Sequence, residues 1–227
     1  MVAQLKYLPY NKVTNHFIGG KKMAIYSIYD STEFNAMSDK QKKLFKTAIQ
    51  LFASKGFSKT STAEISRTAK VSEGLLFKTF GNKEGILSHI IRPIALNILP
   101  PNIEMALDQE GQLSLSSFVQ NYYEDKISFV TDNEELIKIL IREVIYDPTI
   151  IKTYQAALPK NFWESTHACL DELKQKGLIA DWNNQYLFRS LNSALIVYIL
   201  RNYLFETHLD PHRVDYTILA TVKALQP

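Results

Sequence analysis

Between Ser38 and Ile91 apolar residues recur three and four apart in four short runs, each opened by a residue suited to starting a helix. In the first, Ser38 and Gln41 fit a capping box, and Leu44, Phe45, Ala48, Ile49, Leu51 and Phe52 form a stripe with Lys42, Lys43, Lys46 and Gln50 on the other side. Gly56 supplies the stop. In the second, Ser61 and Glu64 form another capping box, and Ile65 and Ala69 face inward. Ser72 caps the third, where Leu76 and Phe80 lie four apart. Gly74 costs that helix about 1 kcal/mol relative to alanine, which suits a surface that another molecule must approach closely. The fourth starts at Asn82 and buries Ile86, Leu87, Ile90 and Ile91. Only a short turn around Lys70 and Val71 parts the second and third runs. That is the layout of a helix-turn-helix, one helix braced across the DNA backbone and the next presented to the major groove.

From Pro93 onward the pattern stays helical, with Pro93 expected to kink or end the fourth helix. Helices are predicted near 114–131, 134–146, 149–157, 160–176, 184–206 and 213–225, punctuated by Asp132-Asn133, Asp147-Pro148, Pro159, Gly177 and Asp210-Pro211. No strand alternation, repeat or glycine-rich phosphate loop is visible, so the expected fold class is all-α. The stretch 184–206 carries two apolar stripes. Phe188, Leu191, Leu195, Tyr198 and Phe205 make one, and Ile196, Ile199, Leu200, Tyr203 and Leu204 the other. Such a helix must be covered on both sides, by its own core and a second copy of the chain, or as the central helix of a monomer.

Charge sharpens the division. Residues 38–92 carry 11 Lys/Arg against 4 Asp/Glu, residues 93–227 carry 11 against 17, and residues 1–37 carry 4 against 2, within a net charge of +3. A basic amino-terminal block on an acidic body fits a module that meets phosphate, although a solvated basic face has the same composition. Three domains are expected: an amino-terminal extension over 1–37, a DNA-binding head over 38–92 and a helical body over 93–227. Cys169 is the single cysteine, so no intrachain disulfide forms. No apolar run reaches the ~18 residues that span a bilayer, and no secretion signal is evident, which suits a cytoplasmic protein without a membrane partner.

The head offers a defined contact set. The hydroxyls of Thr60, Ser61 and Thr62 flank a positive helix end where a DNA phosphate binds, or else they only cap. Lys83, in a first helical turn, opposes the helix dipole, and a nearby phosphate would explain it. In the third helix Ser72 is the cap, and Glu73, Leu75, Lys78 and Thr79 are left for base edges or their surroundings. Glu73 either accepts from a cytosine amino group or simply favours the helix N-terminus. Catalytic chemistry finds no support. His167 and Cys169, two apart on a helix, point away from each other, and His208 and His212 are separated by Pro211. No metal, cofactor or catalytic residue is expected.

These residues resemble the TetR family of transcriptional regulators. The matches are Leu51-Phe52, Gly56-Phe57, Thr60-Ser61, Ile65, Ala69, Val71-Ser72, Gly74, Leu76, Phe80 and Lys83-Glu84, about 50 residues in all. The resemblance implies a dimer formed through 184–206 and 213–225, a palindromic operator in double-stranded DNA, and repression relieved by a small-molecule inducer. The body's aromatic residues (Tyr122, Tyr123, Phe129, Tyr146, Tyr154, Phe162, Trp163, Trp182, Tyr186 and Phe188) either line a pocket for an apolar or aromatic ligand or form core. None is assigned to a ligand individually. Four positions depart from the family pattern. Ser66 replaces a usual alanine, Lys70 a frequent turn glycine, Phe77 a tyrosine that commonly reaches a phosphate, and Thr79 another aromatic. Phe77 is expected to keep the tyrosine's packing without its hydroxyl.

Residues 1–37 lack helical periodicity, and Gly19-Gly20-Lys21-Lys22 directly precedes Met23. Either translation begins at Met23, with that stretch encoded by a ribosome-binding sequence, or the segment is a basic arm reaching DNA. Two other readings of the whole chain stay open: a ligand-independent architectural or division-linked DNA-binding protein, and an enzyme with an incidental head.

Overall fold

The four amino-terminal runs fold as helices whose ends follow their capping residues. The structure, a computed structural model, describes residues 17–18, 21–22, 28–96, 100–108, 110–146, 149–204 and 211–227. Helix α1 is Thr32–Asn35, α2 Asp39–Lys55, α3 Thr62–Ala69, α4 Glu73–Phe80 and α5 Lys83–Leu96. There follow α6 Leu115–Asp132, α7 Glu134–Tyr146, α8 Thr149–Ala157, α9 Phe162–Gln175, α10 Asn184–Leu204 and α11 Pro211–Leu225. Helix thus dominates, as periodicity predicts. Short 3-10 turns at Ile28–Asp30 and Ile103–Ala106 add to it. A two-residue antiparallel pair, Phe17–Ile18 with Lys21–Lys22, is a small exception to the all-α expectation.

The chain divides into two compact units. One comprises Ile25–Pro100 and Lys126–Trp163, the other Met1–Ala24, Pro101–Asp125 and Glu164–Pro227. Helices α7 and α8 therefore group with the amino-terminal helices, and 38–92 is a sequence module inside a larger compact body.

In the first unit, Leu44, Phe45, Ala48, Ile49 and Phe52 of α2 meet Ile65 and Ala69 of α3, Leu76 and Phe80 of α4, and Ile86, Leu87, Ile90 and Ile91 of α5, all buried. Phe45 stacks on Phe80 at 6.2 Å, and Phe80 meets the edge of His89 at 5.2 Å. Helix α5 runs through Pro93 to Leu96, so the proline does not end it there. Ile94 and Ala95, beyond it, are buried, and their burial offsets the hydrogen bond that proline cannot donate.

Part of the amino-terminal extension belongs to this unit. Ile28 and Phe34 are buried, and the Ile28 amide donates to Asn133 Oδ1 at 3.2 Å. The ammonium of Lys42 lies 5.5 Å from the Phe34 ring centre, and that of Lys46 lies 5.2 Å from Tyr29 and 5.5 Å from Phe34. Most of residues 1–27, including the Met23 question, lies outside the described residues.

Two junctions fix the helix-turn-helix. Lys70 sits in the left-handed region at φ 54°, ψ 43°. Its amide donates to the Arg67 carbonyl at 3.1 Å and the Val71 amide to Ser66 at 3.0 Å, a Schellman ending. Gly177 closes α9 with the same pair of bonds, to Lys174 and Leu173. Lysine takes the glycine-favoured conformation at a cost of roughly 1–2 kcal/mol. Between α4 and α5, a Cβ on Gly85 would collide with the Phe80 carbonyl oxygen.

In the second unit, Tyr123 is fully buried; its hydroxyl lies 2.6 Å from Thr221 Oγ1 and donates to the Leu191 carbonyl at 2.9 Å. Tyr122 donates to Asn192 Oδ1 at 2.9 Å. These two aromatic residues are core. Trp182 and Tyr186 are more than half exposed. In α9, Cys169 is buried while His167 is exposed, so the two do point apart. Burial pushes the Cys169 thiol up to about 12, which keeps it protonated. The His208–Pro211–His212 turn falls outside the described side chains. Among the described residues no helix is long and apolar enough to cross a membrane.

Two substitutions test this packing. Ser66 Oγ is buried without a hydrogen-bond partner, so Ser66→Ala should raise the unfolding free energy by about 1 kcal/mol in a urea titration. Gly85→Ala should lower it by roughly 1–3 kcal/mol, because Phe80 meets it with backbone rather than a yielding side chain.

Candidate nucleic-acid interface

The turn joining α2 to α3 is held from two sides. Phe57 donates its amide to Glu143 Oε1 of α7 at 3.0 Å. Its carbonyl accepts from Lys83 Nζ of α5 at 3.0 Å and from the Thr60 amide at 3.1 Å. Its ring meets the edge of Phe52 at 5.1 Å and lies beneath the Lys83 ammonium at 4.3 Å. Glu143 is buried, and a buried carboxylate requires such donors. Lys83, expected on phosphate, therefore has a structural reason for its place in the first turn of α5. It is a clasp on Phe57 rather than an uncommitted cation.

Thr60 is corrected outright. It is 2% exposed, and its hydroxyl donates to the Gly56 carbonyl at 2.9 Å, so it cannot meet a phosphate. Ser61 caps α3 as expected, accepting from the Glu64 amide at 3.1 Å. The reciprocal half of that capping box is missing. Glu64 instead pairs with Lys55, whose hydrogen bond holds its carboxyl below the usual range. At α2 the box is closed by Gln41, whose Oε1 accepts from the Ser38 amide at 2.8 Å.

Both ends of α4 are tied to neighbouring helices. Thr62 Oγ1 donates to Glu73 Oε1 at 2.7 Å, joining the first turns of α3 and α4. Gln41 Nε2 donates to Thr79 Oγ1 at 3.1 Å, and that hydroxyl donates to the Leu75 carbonyl at 2.8 Å. Thr62, Glu73 and Thr79 thus brace the helix, and Thr79 has spent its only proton there. Periodicity alone could not reveal these partners, which lie far away in sequence.

Between the braces α4 is open. Gly74, Phe77 and Lys78 are exposed, Leu75 is half-buried, and Leu76 and Phe80 face the core. A Cβ on Gly74 would meet nothing within 4 Å, so internal packing does not explain that glycine. Ser72 caps with its backbone conformation alone, its side chain making no capping bond. Phe77 is 48% exposed, so its ring stands outside the buried stripe of α4. The signal was present, since one step of 100° past Leu76 leaves the buried stripe. The structure brings Ser61, Ser72, Gly74, Leu75, Phe77 and Lys78 to accessible positions around α3 and α4. Gly74→Ala should leave thermal stability unchanged or raised, by up to about 1 kcal/mol. It should weaken binding to a selected duplex on the order of tenfold, the size of one lost base contact, as read by fluorescence anisotropy.

Comparison with known proteins agrees with this geometry. Residues 44–90 match the family model described as "Bacterial regulatory proteins, tetR family". A Bacillus subtilis (strain 168) protein named "Probable HTH-type transcriptional regulator YttP" is 24% identical over 179 residues, 76% of this chain and 79% of the relative. YuxN of the same organism, named an uncharacterized HTH-type transcriptional regulator, is 41% identical over 51 residues, 22% of this chain but only 18% of the relative. Among solved structures, the fatty acid degradation regulator FadR from Bacillus halodurans superposes with a TM-score of 0.63 at 14% identity, covering 82% of this chain and 96% of that one. A TetR family transcription regulator from Marinobacter aquaeolei VT8 gives 0.55 at 16% identity, covering 82% and 95%. The chain carries a tetR-type DNA-binding head over residues 44–90 and is similar over most of its length to an HTH-type regulator of transcription.

Proposed function

We propose that the chain is a homodimeric repressor that sets α4 in the major groove of a roughly palindromic site and is released by a small apolar or aromatic ligand bound in the body. The open face of α4 carries this reading. Gly74 allows close approach, Lys78 is an exposed cation, and Ser72, Ser61 and the backbone amides at the helix starts suit phosphate. Lys83 adds positive charge beside Phe57 while keeping its structural bond. Its ammonium has donors to spare.

The dimer is supported by the outward surfaces of α10 and α11. On α10, Leu187, Leu191, Leu195 and Tyr198 are buried, while Tyr186, Arg189, Ser193, Ile196 and Val197 are exposed at a spacing close to a heptad seam. Ile196 and Val197 are 51% and 56% exposed, and Tyr216 and Leu219 of α11 are 72% and 50%. Large apolar side chains in such rows require cover. Ile199 and Leu200, expected on that second stripe, are half-buried, and the remainder of 202–206 lies outside the described side chains. Two linked heads gain affinity without new contacts.

Release by ligand would act through the clasp on Phe57. Its two charged members stand on α5 and α7, and α5 also packs on α8. A ligand that fits the body better with these helices displaced shifts the population away from the DNA-competent arrangement. The apolar character assigned to the ligand is in keeping with FadR, named for fatty acid degradation.

Selection of bound fragments from a random duplex library, followed by sedimentation, tests this reading. Paired inverted half-sites and a dimeric complex are expected. Val197→Glu should give folded monomers with affinity reduced by about 10² or more. A single half-site bound equally well by monomers would overturn the dimer. Binding unmoved by a series of long-chain and aromatic carboxylates would favour the ligand-independent alternative.

A further inference from the structure

We infer that Phe77 reads thymine methyl groups, making it a specificity-determining residue of the DNA interface. The inference rests on α4 being the helix that enters the groove.

Four phenylalanines in the same unit, Phe34, Phe45, Phe52 and Phe80, are no more than 6% exposed, whereas Phe77 is 48% exposed. The core is closed without it: Leu76 is fully buried and Phe80 stacks on Phe45. Among the described residues no ring contact ties Phe77 to the core. One turn earlier is Gly74, with open space where its side chain would be, and next to Phe77 is the exposed Lys78. The ring therefore stands beside a notch, on the face of α4 that the braces at Glu73 and Thr79 leave clear.

A phenyl ring has neither hydroxyl nor amide. It cannot bond a phosphate oxygen, and it cannot distinguish the donors and acceptors on base edges. Its chemical complement is an apolar group. Among the base edges of the major groove that group is the C5-methyl of thymine. Lys78 beside it supplies backbone attraction that carries no sequence information. Division of labour follows: the cation holds the helix on the duplex, and the ring favours sites with thymine beneath it.

Replacing thymine by deoxyuridine removes the methyl and preserves every base-pairing and groove hydrogen bond, so it tests this directly. The full chain is used to select duplexes from a random library. Each thymine of the selected site is then replaced in turn, and affinities are measured for the unaltered protein, Phe77→Ala and Phe77→Ser, with thermal melts to check that each is folded. At one or two positions in each half-site, deoxyuridine should weaken the unaltered protein about fourfold, the effect of one unburied methyl. Both variants should bind the thymine and deoxyuridine duplexes equally. Three results would overturn the inference while leaving DNA binding intact. They are selected sites without thymine, no loss with deoxyuridine at any position, and the same loss in Phe77→Ala as in the unaltered chain. Failure to select any duplex would overturn the reading of the head as well.

Discussion

The backbone of Phe57 is where the amino-terminal unit is tied together. A carboxylate from α7 takes its amide, an ammonium from α5 takes its carbonyl, and the same ammonium rests on its ring. The turn it occupies sets how α3 leaves α2, and α3 in turn carries α4 through the Lys70 junction. Glu143 is buried, so it has little water to retreat to when the amide is withdrawn. Removing one partner of a buried charge costs more than the bond itself, because the other is stranded. A displacement of α5 or α7 therefore reaches the helix-turn-helix as a specific broken bond.

Helix α4 is consequently a framed object. Leu76 and Phe80 hold it from below, Thr62 holds its first turn through Glu73, and Gln41 holds its last turn through Thr79. Glu73 and Thr79, polar residues on an exposed-looking face, are spent on that frame. What the frame leaves accessible is small, Gly74, Leu75, Phe77 and Lys78, with Ser61 and Ser72 at the helix starts.

The helices were legible in the sequence because their causes are local. Ser38, Ser61 and Ser72 mark starts, Gly56 a stop, and the apolar stripes predict the buried set of α2 to α5 almost residue by residue. In the body, Asn184 and Pro211 bound helices close to where the pattern placed them. The tertiary partners were not legible. Thr60, Lys83, Thr79 and Glu64 are polar residues, and a hydroxyl or an ammonium reads the same in sequence whether it faces water or a carbonyl. The partners of Lys83 and Thr79 lie 26 and 38 positions away, and that of Phe57 lies 86 away. Pro93 does not end α5 for a related reason: the penalty is local, but the burial of Ile94 and Ala95 that offsets it is tertiary.

The lysines lying over Tyr29 and Phe34 bear on how tightly ions follow this protein onto a duplex. Lys42 and Lys46 are engaged with aromatic faces, Lys55 with a carboxylate and Lys83 with a carbonyl. Each counts in the formal excess of the basic block, yet each is already neutralised or anchored in part before any nucleic acid arrives. Counterions liberated on complex formation track the phosphates newly met, not the tally of basic residues. The dependence of affinity on ionic strength should therefore be shallower than the composition of residues 38–92 alone would suggest, and a larger share of the discrimination between sites must come from shape and close contact.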